Sequence, residues 1–186
     1  MKRFLDLLIS VLALIVLLVP AVIVALVIRL TSEGPAIYWS DRVGQYNKIF
    51  RMPKFRTMRV NTPVVATHLM ENAEQHLTPI GSFLRKTSLD ELPQVWSIIM
   101  GHMSFVGPRP ALFNQDDLIK LRTEKGVDKL MPGLTGWAQV NGRDELPIPI
   151  KADLDIEYLN RQSVLFDMYI IWLTFKKVIF GDGVSH

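Results

Sequence analysis

The stretch LLISVLALIVLLVPAVIVALVI, residues 7–28, carries no charged side chain and decides how the rest of the chain is read. As a helix rising about 1.5 Å per residue it reaches roughly 33 Å, enough to cross a hydrocarbon layer of about 30 Å. It is too long for the core of a secretory signal, and no small-residue cleavage pattern precedes Arg29, so the segment is expected to stay in the mature protein. Pro20 donates no backbone hydrogen bond to the Val16 carbonyl and its ring crowds that turn, which predicts a bend near the middle.

The charges on either side bear on topology. Lys2 and Arg3 precede the run, and Arg29, Arg42, Lys48, Arg51, Lys54, Arg56 and Arg59 follow it. Basic flanks favour the cytoplasmic side of a membrane, and here both flanks are basic. A straight span exports one of them. A hairpin that enters and leaves by the same face keeps both inside, provided its freed backbone groups find partners. The residues leave both topologies open.

The remaining ~155 residues suit one small domain. Net charge is +3, with basic residues gathered in 42–59. Beside an apolar segment such a cluster reads as attraction to anionic lipid headgroups or to phosphate-bearing substrates. Nucleic acid is disfavoured, because no recognisable nucleic-acid module accompanies the charge. With no cysteine, disulfides and thiolate chemistry are excluded. Glycine-rich nucleotide fingerprints and a nucleophile-elbow serine are missing, and the four histidines show no metal-ligand spacing.

Patterning predicts a mostly helical α+β chain. Short strands at Ala36–Trp39 and Lys48–Met52, around Gly44 and Asn47, suggest a β-hairpin. Helices are expected over 65–75, 79–86, 88–100 and 114–125, and a short strand at Trp137–Val140. Gly107-Pro108-Arg109-Pro110 forces an extended or turning backbone. Ser163 is placed to cap a last, aromatic-rich helix through Trp172 and Phe175, either packed in the core or lying in a bilayer interface.

Two acids stand out in Ser88-Leu89-Asp90-Glu91-Leu92-Pro93. The plainer reading is a capping box, Ser88 with Glu91, whose acids complement a helix dipole. The chemical reading is a carboxylate nucleophile beside a metal-binding carboxylate, since a carboxylate can attack phosphorus and divide one displacement into two. Arg109, held between prolines, suits bidentate contact with phosphate, or else a surface salt bridge. Arg143 follows the Asn141-Gly142 turn and could be aimed at an anion. Lys54 and Arg56 flank Phe55 at alternate positions, so on a strand they would share one face.

Four motifs in this order resemble the bacterial monotopic phosphoglycosyl transferases over nearly the whole chain: Pro53-Lys54-Phe55-Arg56-Thr57-Met58, Arg85-Lys86-Thr87-Ser88-Leu89-Asp90-Glu91-Leu92-Pro93-Gln94, Met103-Ser104-Phe105-Val106-Gly107-Pro108-Arg109-Pro110, and Pro132-Gly133-Leu134-Thr135-Gly136-Trp137-Ala138-Gln139-Val140-Asn141-Gly142-Arg143. The resemblance implies transfer of a sugar-1-phosphate from a UDP-sugar to a polyprenyl (undecaprenyl) phosphate, releasing UMP, as the first membrane step of surface-glycan assembly. It places the nucleophile on Asp90, with a covalent intermediate and ping-pong kinetics. Glu91 becomes its partner, both acids facing Mg²⁺, and Lys54, Arg85, Arg109 and Arg143 become substrate-binding bases. It further implies a re-entrant membrane helix over residues 1–34, broken at Pro20, and a catalytic domain over 35–186. That domain would lie with interfacial amphipathic helices on the cytoplasmic face of the bacterial inner membrane. One departure is the break itself: the family often has Ser-Pro, and here Val19 supplies no hydroxyl for a freed carbonyl. The competing reading is a non-catalytic adaptor that binds anionic lipid. Neither the sugar nor any protein partner is legible.

Overall fold

Lys2–Thr31 forms one helix, α1, with Pro20 in its interior. The computed structural model describes residues 1–63, 73–142 and 146–180, without the side chains of 73 and 178–180. The expected break at Pro20 is therefore not a gap between two helices. A proline removes a single donor, and the long helical runs on either side absorb that loss.

α1 presents two unlike faces. Asp6, Ser10, Val24 and Ile28 are buried, and Ala13, Leu17 and Ala21 are half-buried between them, at the spacing of one helical face. The other side exposes Leu8, Leu12, Ile15, Val16, Val19, Ile23 and Leu26. So continuous an exposed apolar surface marks an interaction face, for a membrane or for protein. This is a helix long and apolar enough to cross a membrane.

Both ends of α1 are fastened to the same domain. Lys2 Nζ donates to the Val106 carbonyl at 2.9 Å and the Asp167 carboxylate at 2.5 Å. Arg3 donates to the carbonyls of Ile98 and Ile99, and Asp6 accepts from Ser104 Oγ and the Phe105 amide. At the far end, Arg56 donates to Ser32 Oγ at 2.9 Å and the Pro35 carbonyl at 2.7 Å.

β1 (Ile37–Val43) and β2 (Ile49–Phe55) pair antiparallel from Ile37↔Phe55 to Val43↔Ile49. The hairpin is the one expected, with strands longer than the apolar segments alone suggested. Tyr46 and Asn47, both at positive φ, make its turn. α2 (Gly81–Lys86), a 3-10 turn (Leu89–Gln94) and α3 (Val95–Ile99) follow. Sequence predicted one helix over 88–100. Instead Ser88 sits in the left-handed region (φ 57°) and Pro93 lies inside the turn, so the chain tightens before α3 begins.

β3 (Ser104–Val106) pairs in parallel with β4 (Gly133–Thr135). α4 spans Asp116–Glu124 and α5 Trp137–Val140. The strand predicted at Trp137–Val140 is thus a single helical turn. The pairing partner of β3 lies just before it, at residues 133–135, where glycine permits close approach. α6 (Ile148–Arg161) was not anticipated, although Pro147 at its start and the buried stripe Ala152, Asp155, Tyr158 mark it. α7 (Val164–Phe180) begins as predicted, with Ser163 Oγ accepting the Phe166 amide. Of the helix expected over 65–75, residues 64–72 lie outside those described, and Ala73–His76 is a 3-10 turn. The class is as expected: a mostly helical α+β chain with a long apolar N-terminal helix.

Three apolar clusters hold these pieces. Val106, Tyr158, Phe166 and Ile170 centre the largest, under α6 and α7. Val24 and Ile28 of α1 pack on Phe55 and Leu84, while Phe50 and Met52 pack on Ile98 and Met103. α7 is packed in the core along one side, the first of the two expectations for it. Phe166 and Ile170 enter the core, while Leu165, Met168, Trp172 and Phe175 form an exposed apolar stripe.

Candidate active site

Four segments, two of them neighbours in sequence, deliver charge to one place. Lys54 lies near the end of β2, Arg85 in the last turn of α2, Asp90 and Glu91 in the 3-10 turn, and Arg109 in the extended segment after β3. Lys54 Nζ donates to Glu91 Oε1 at 3.1 Å, and Arg109 Nη2 donates to the same oxygen at 3.0 Å. Arg85 Nε donates to Thr57 Oγ1 at 3.0 Å, with its charge close enough to Asp90 to be felt there. Five of the six site residues predicted from sequence are thus brought together. The sixth, Arg143, lies outside the described residues.

The two acids differ in character. Burial alone would raise the Glu91 carboxyl, but Lys54 and Arg109 outweigh it and hold the group well below the usual carboxylate range. Burial raises the Asp90 carboxyl from its ordinary value; Lys54, Arg109 and Arg85 oppose the rise without cancelling it, and Glu91 adds to it. No hydrogen bond to the Asp90 carboxylate occurs among the described residues. One acid is pinned by two cations and favoured in its charged form; its neighbour accepts no hydrogen bond among the described residues, and burial works against its ionisation.

The capping-box reading fails here. Ser88 is left-handed rather than extended and makes no side-chain cap, while the Glu91 side chain turns to Lys54 and Arg109. Lys54 and Arg56 do not share a face: β2 ends at Phe55, and buried Arg56 goes to Ser32 and Pro35. Arg56 therefore ties α1 to the domain rather than facing the acids.

Sequence reasoning missed the supports of Arg109. Arg122 of α4 donates to the Arg109 carbonyl at 2.8 Å and is itself paired to buried Asp155 of α6 at 2.6 Å. An acid within the apolar stripe of α6 was the available signal. Behind Arg109, Gly107 donates to the Thr135 carbonyl and Gly133 to the Pro108 carbonyl, both at 2.9 Å. A Cβ on Gly136 would stand 2.0 Å from the Gly107 carbonyl oxygen, so Gly136→Ala is expected to lower the unfolding midpoint sharply in a denaturant titration.

A profile described as bacterial sugar transferase matches residues 1–181. The chain belongs to the bacterial sugar transferase family. It is 36% identical to sugar transferase EpsL of Bacillus subtilis, itself uncharacterized, across 100% of this chain and 90% of that protein. It is 36% identical to galactosyl transferase CpsE of Streptococcus agalactiae, over 99% of this chain and 43% of the relative. It is 37% identical to the UDP-glucose:undecaprenyl-phosphate glucose-1-phosphate transferase of Escherichia coli, over 95% of this chain and 40% of the relative. The transferase thus spans less than half the length of the latter two. Membership bears out the family read from the four motifs and the expectation of an enzyme.

Magnesium fits the donor set of this transferase. Glu91 Oε2 and both Asp90 oxygens accept no hydrogen bond among the described residues, and Mg²⁺ takes one or two carboxylates and completes its shell with substrate phosphates and water. No group of three or more acids or histidines able to hold a metal occurs among the described residues, so any ion would need the substrate to complete its site.

Proposed function

We propose that this protein transfers a sugar-1-phosphate from a UDP-sugar to polyprenyl phosphate, with Asp90 as the covalent acceptor. One observation carries the reading: among the described residues Asp90 is an unbonded carboxylate near three cations, while Glu91 beside it is held by two of them. A nucleophile must be free to form a bond, and a carboxylate raised in energy by burial is better spent on attack than on structure. An Asp90 oxygen bonds to the sugar-bearing phosphorus of the UDP-sugar as the bond to the bridging oxygen breaks, and UMP departs. A lipid phosphate oxygen then bonds to the same phosphorus, freeing the Asp90 carboxylate and leaving a polyprenyl diphosphate sugar. Lys54, Arg85 and Arg109 neutralise the oxygens around phosphorus in both steps, and Arg143 joins them as a candidate from sequence. Mg²⁺ bound by Glu91 and Asp90 would supply further charge neutralisation to the diphosphate. Relatives named for undecaprenyl-phosphate sugar transfer support the substrates.

The test is a panel of UDP-sugars with polyprenyl phosphate and Mg²⁺, read as UMP release. Without lipid, labelled UMP is expected to exchange into the UDP-sugar, which a single direct displacement does not allow. Activity is expected to fall as pH drops through the Asp90 value, which burial raises from that of a free aspartate. Because Lys54 lowers the Asp90 pKa, Lys54→Met should move the acid limb of kcat/KM upward and lower its plateau. An unmoved limb would detach that limb from Asp90.

The same reading has α1 enter one leaflet of the cytoplasmic membrane and return. A straight crossing would set the two ends of α1 roughly 30 Å of hydrocarbon apart, yet Lys2 and Arg3 bond to the domain that Ser32 also joins. The protein has no native cysteine, so single cysteines inserted after Met1 and at Asp41 give a clean measurement. In sealed inverted vesicles both are expected to react with an impermeant maleimide; protection of either one contradicts the one-leaflet arrangement.

A further inference from the structure

We propose that a chamber between the middle of α1 and the Asp90-Glu91 turn holds the first isoprenoid units of the acceptor lipid. The inference rests on the reading of Asp90 above and adds where the apolar half of that substrate goes. The ends of α1 are packed tightly, but its middle stands off the domain over a space of about 390 Å³. That volume lies within the roughly 300–1,000 Å³ of ordinary ligand sites. Ala13 and Ala21 of α1, Trp39 and Phe55 of the hairpin, and Leu92 and Trp96 beyond the acids form its walls. No charged side chain lines it among the described residues.

Its two ends match the two ends of such a lipid. At the inner end, Leu92 and Pro93 line the chamber from the same 3-10 turn that carries Asp90 and Glu91, so a tail seated there has its head next to that turn. At the outer end, Leu14 and Leu18 line the chamber while remaining exposed on the apolar surface of α1, so the space is continuous with the face that meets lipid. Stiff walls from Pro53, Pro93 and the indoles favour a chain with few rotamers to lose, and an isoprenoid with a double bond in each unit loses fewer than a saturated tail. A bulk phospholipid seated the same way would lay its glycerol headgroup over Asp90 and block the nucleotide sugar. The occupant is therefore the branched, unsaturated chain of a polyprenyl phosphate.

The experiment uses the full chain in lipid nanodiscs. Ala21→Phe fills the chamber and Trp96→Ala widens it, and no hydrogen bond or ion pair joins either residue to the acids among the described residues. UMP exchange without lipid acceptor should stay within about twofold of wild type in both, reporting an intact fold and first step. The acceptor KM should rise about tenfold in Ala21→Phe, as for lost burial of roughly two methylenes. Wild type should prefer polyprenyl phosphate to a saturated alkyl phosphate of equal carbon number, and both variants should lose that preference. Unchanged acceptor KM and preference with exchange intact would overturn the chamber. An independent readout covers loss of exchange: a diazirine on the first isoprene unit should label residues 13–21 or Trp96, with competition by polyprenyl phosphate and none by phosphatidylglycerol. Labelling elsewhere, or equal competition by phosphatidylglycerol, overturns the proposal. Correct labelling with no exchange in wild type leaves the chamber standing and removes Asp90 as covalent acceptor.

Discussion

Asp90→Asn is expected to cut UMP release by about 10,000-fold or more, the scale on which loss of a covalent nucleophile is felt. Asparagine keeps the size and shape of the side chain, but its amide forms no acyl phosphate with the sugar-bearing phosphorus. Exchange of labelled UMP should vanish with it, while Glu91→Gln should retain weak exchange, because the attacking oxygen remains. The fold should survive Asp90→Asn, and the sign can be worked out. A folded-state pKa raised by burial means that the folded protein holds the Asp90 proton more tightly than the unfolded chain. Stability then falls as pH rises from the ordinary carboxylate value through the raised one, and the ionised group is a net burden at neutral pH. Removing its charge should leave the melting temperature at pH 7 equal or higher. A melting temperature that drops several degrees would mean that Asp90 serves the fold.

Arg122→Leu should be the most damaging single change outside the acids, lowering stability by about 3–5 kcal/mol against a total of roughly 5–15 kcal/mol for a domain. Asp155 is 1% exposed and keeps a raised pKa even with Arg122 beside it, so the pair already fails to offset burial fully. Removing the arginine leaves that carboxylate buried and unpaired. Arg122→Leu with Asp155→Leu should recover most of the loss, since an apolar pair of similar size carries no desolvation cost. Activity should not recover in parallel. The Arg109 carbonyl still lacks its donor, and the guanidinium it positions is one of the two that hold Glu91. Urea unfolding beside kcat/KM separates these effects; recovery of both in the double variant would reduce Arg122 to packing alone.

What was readable from the residues was local or motif-borne. The uncharged run over 7–28, the hairpin around Gly44 and Asn47, the Ser163 cap and the irregular Gly107–Pro110 segment each depend on neighbours in sequence, and each is found. The misses share a cause. A strand at 133–135 rather than 137–140 depends on β3 some thirty residues earlier, which no local pattern records. The capping box had the right residues at the right spacing, yet Glu91 finds two cations, from β2 and from the loop after β3, stronger partners than a helix amide. Arg56 looked like a twin of Lys54 until the end of β2 turned it toward Ser32.

The amino-acid sequence by itself determined that this chain carries a helix long and apolar enough to cross a membrane, because residues 7–28 hold no charged side chain. By motif it also determined which acids and bases belong together. Tertiary structure alone decided how those charges divide their labour. Whether a carboxylate is pinned or left unbonded depends on donors and burial brought from distant segments: Lys54 and Arg109 reach Glu91, and nothing among the described residues bonds to Asp90. The fastening of both ends of α1 to one domain was likewise settled only by folding, since Lys2 finds its partners more than a hundred residues away.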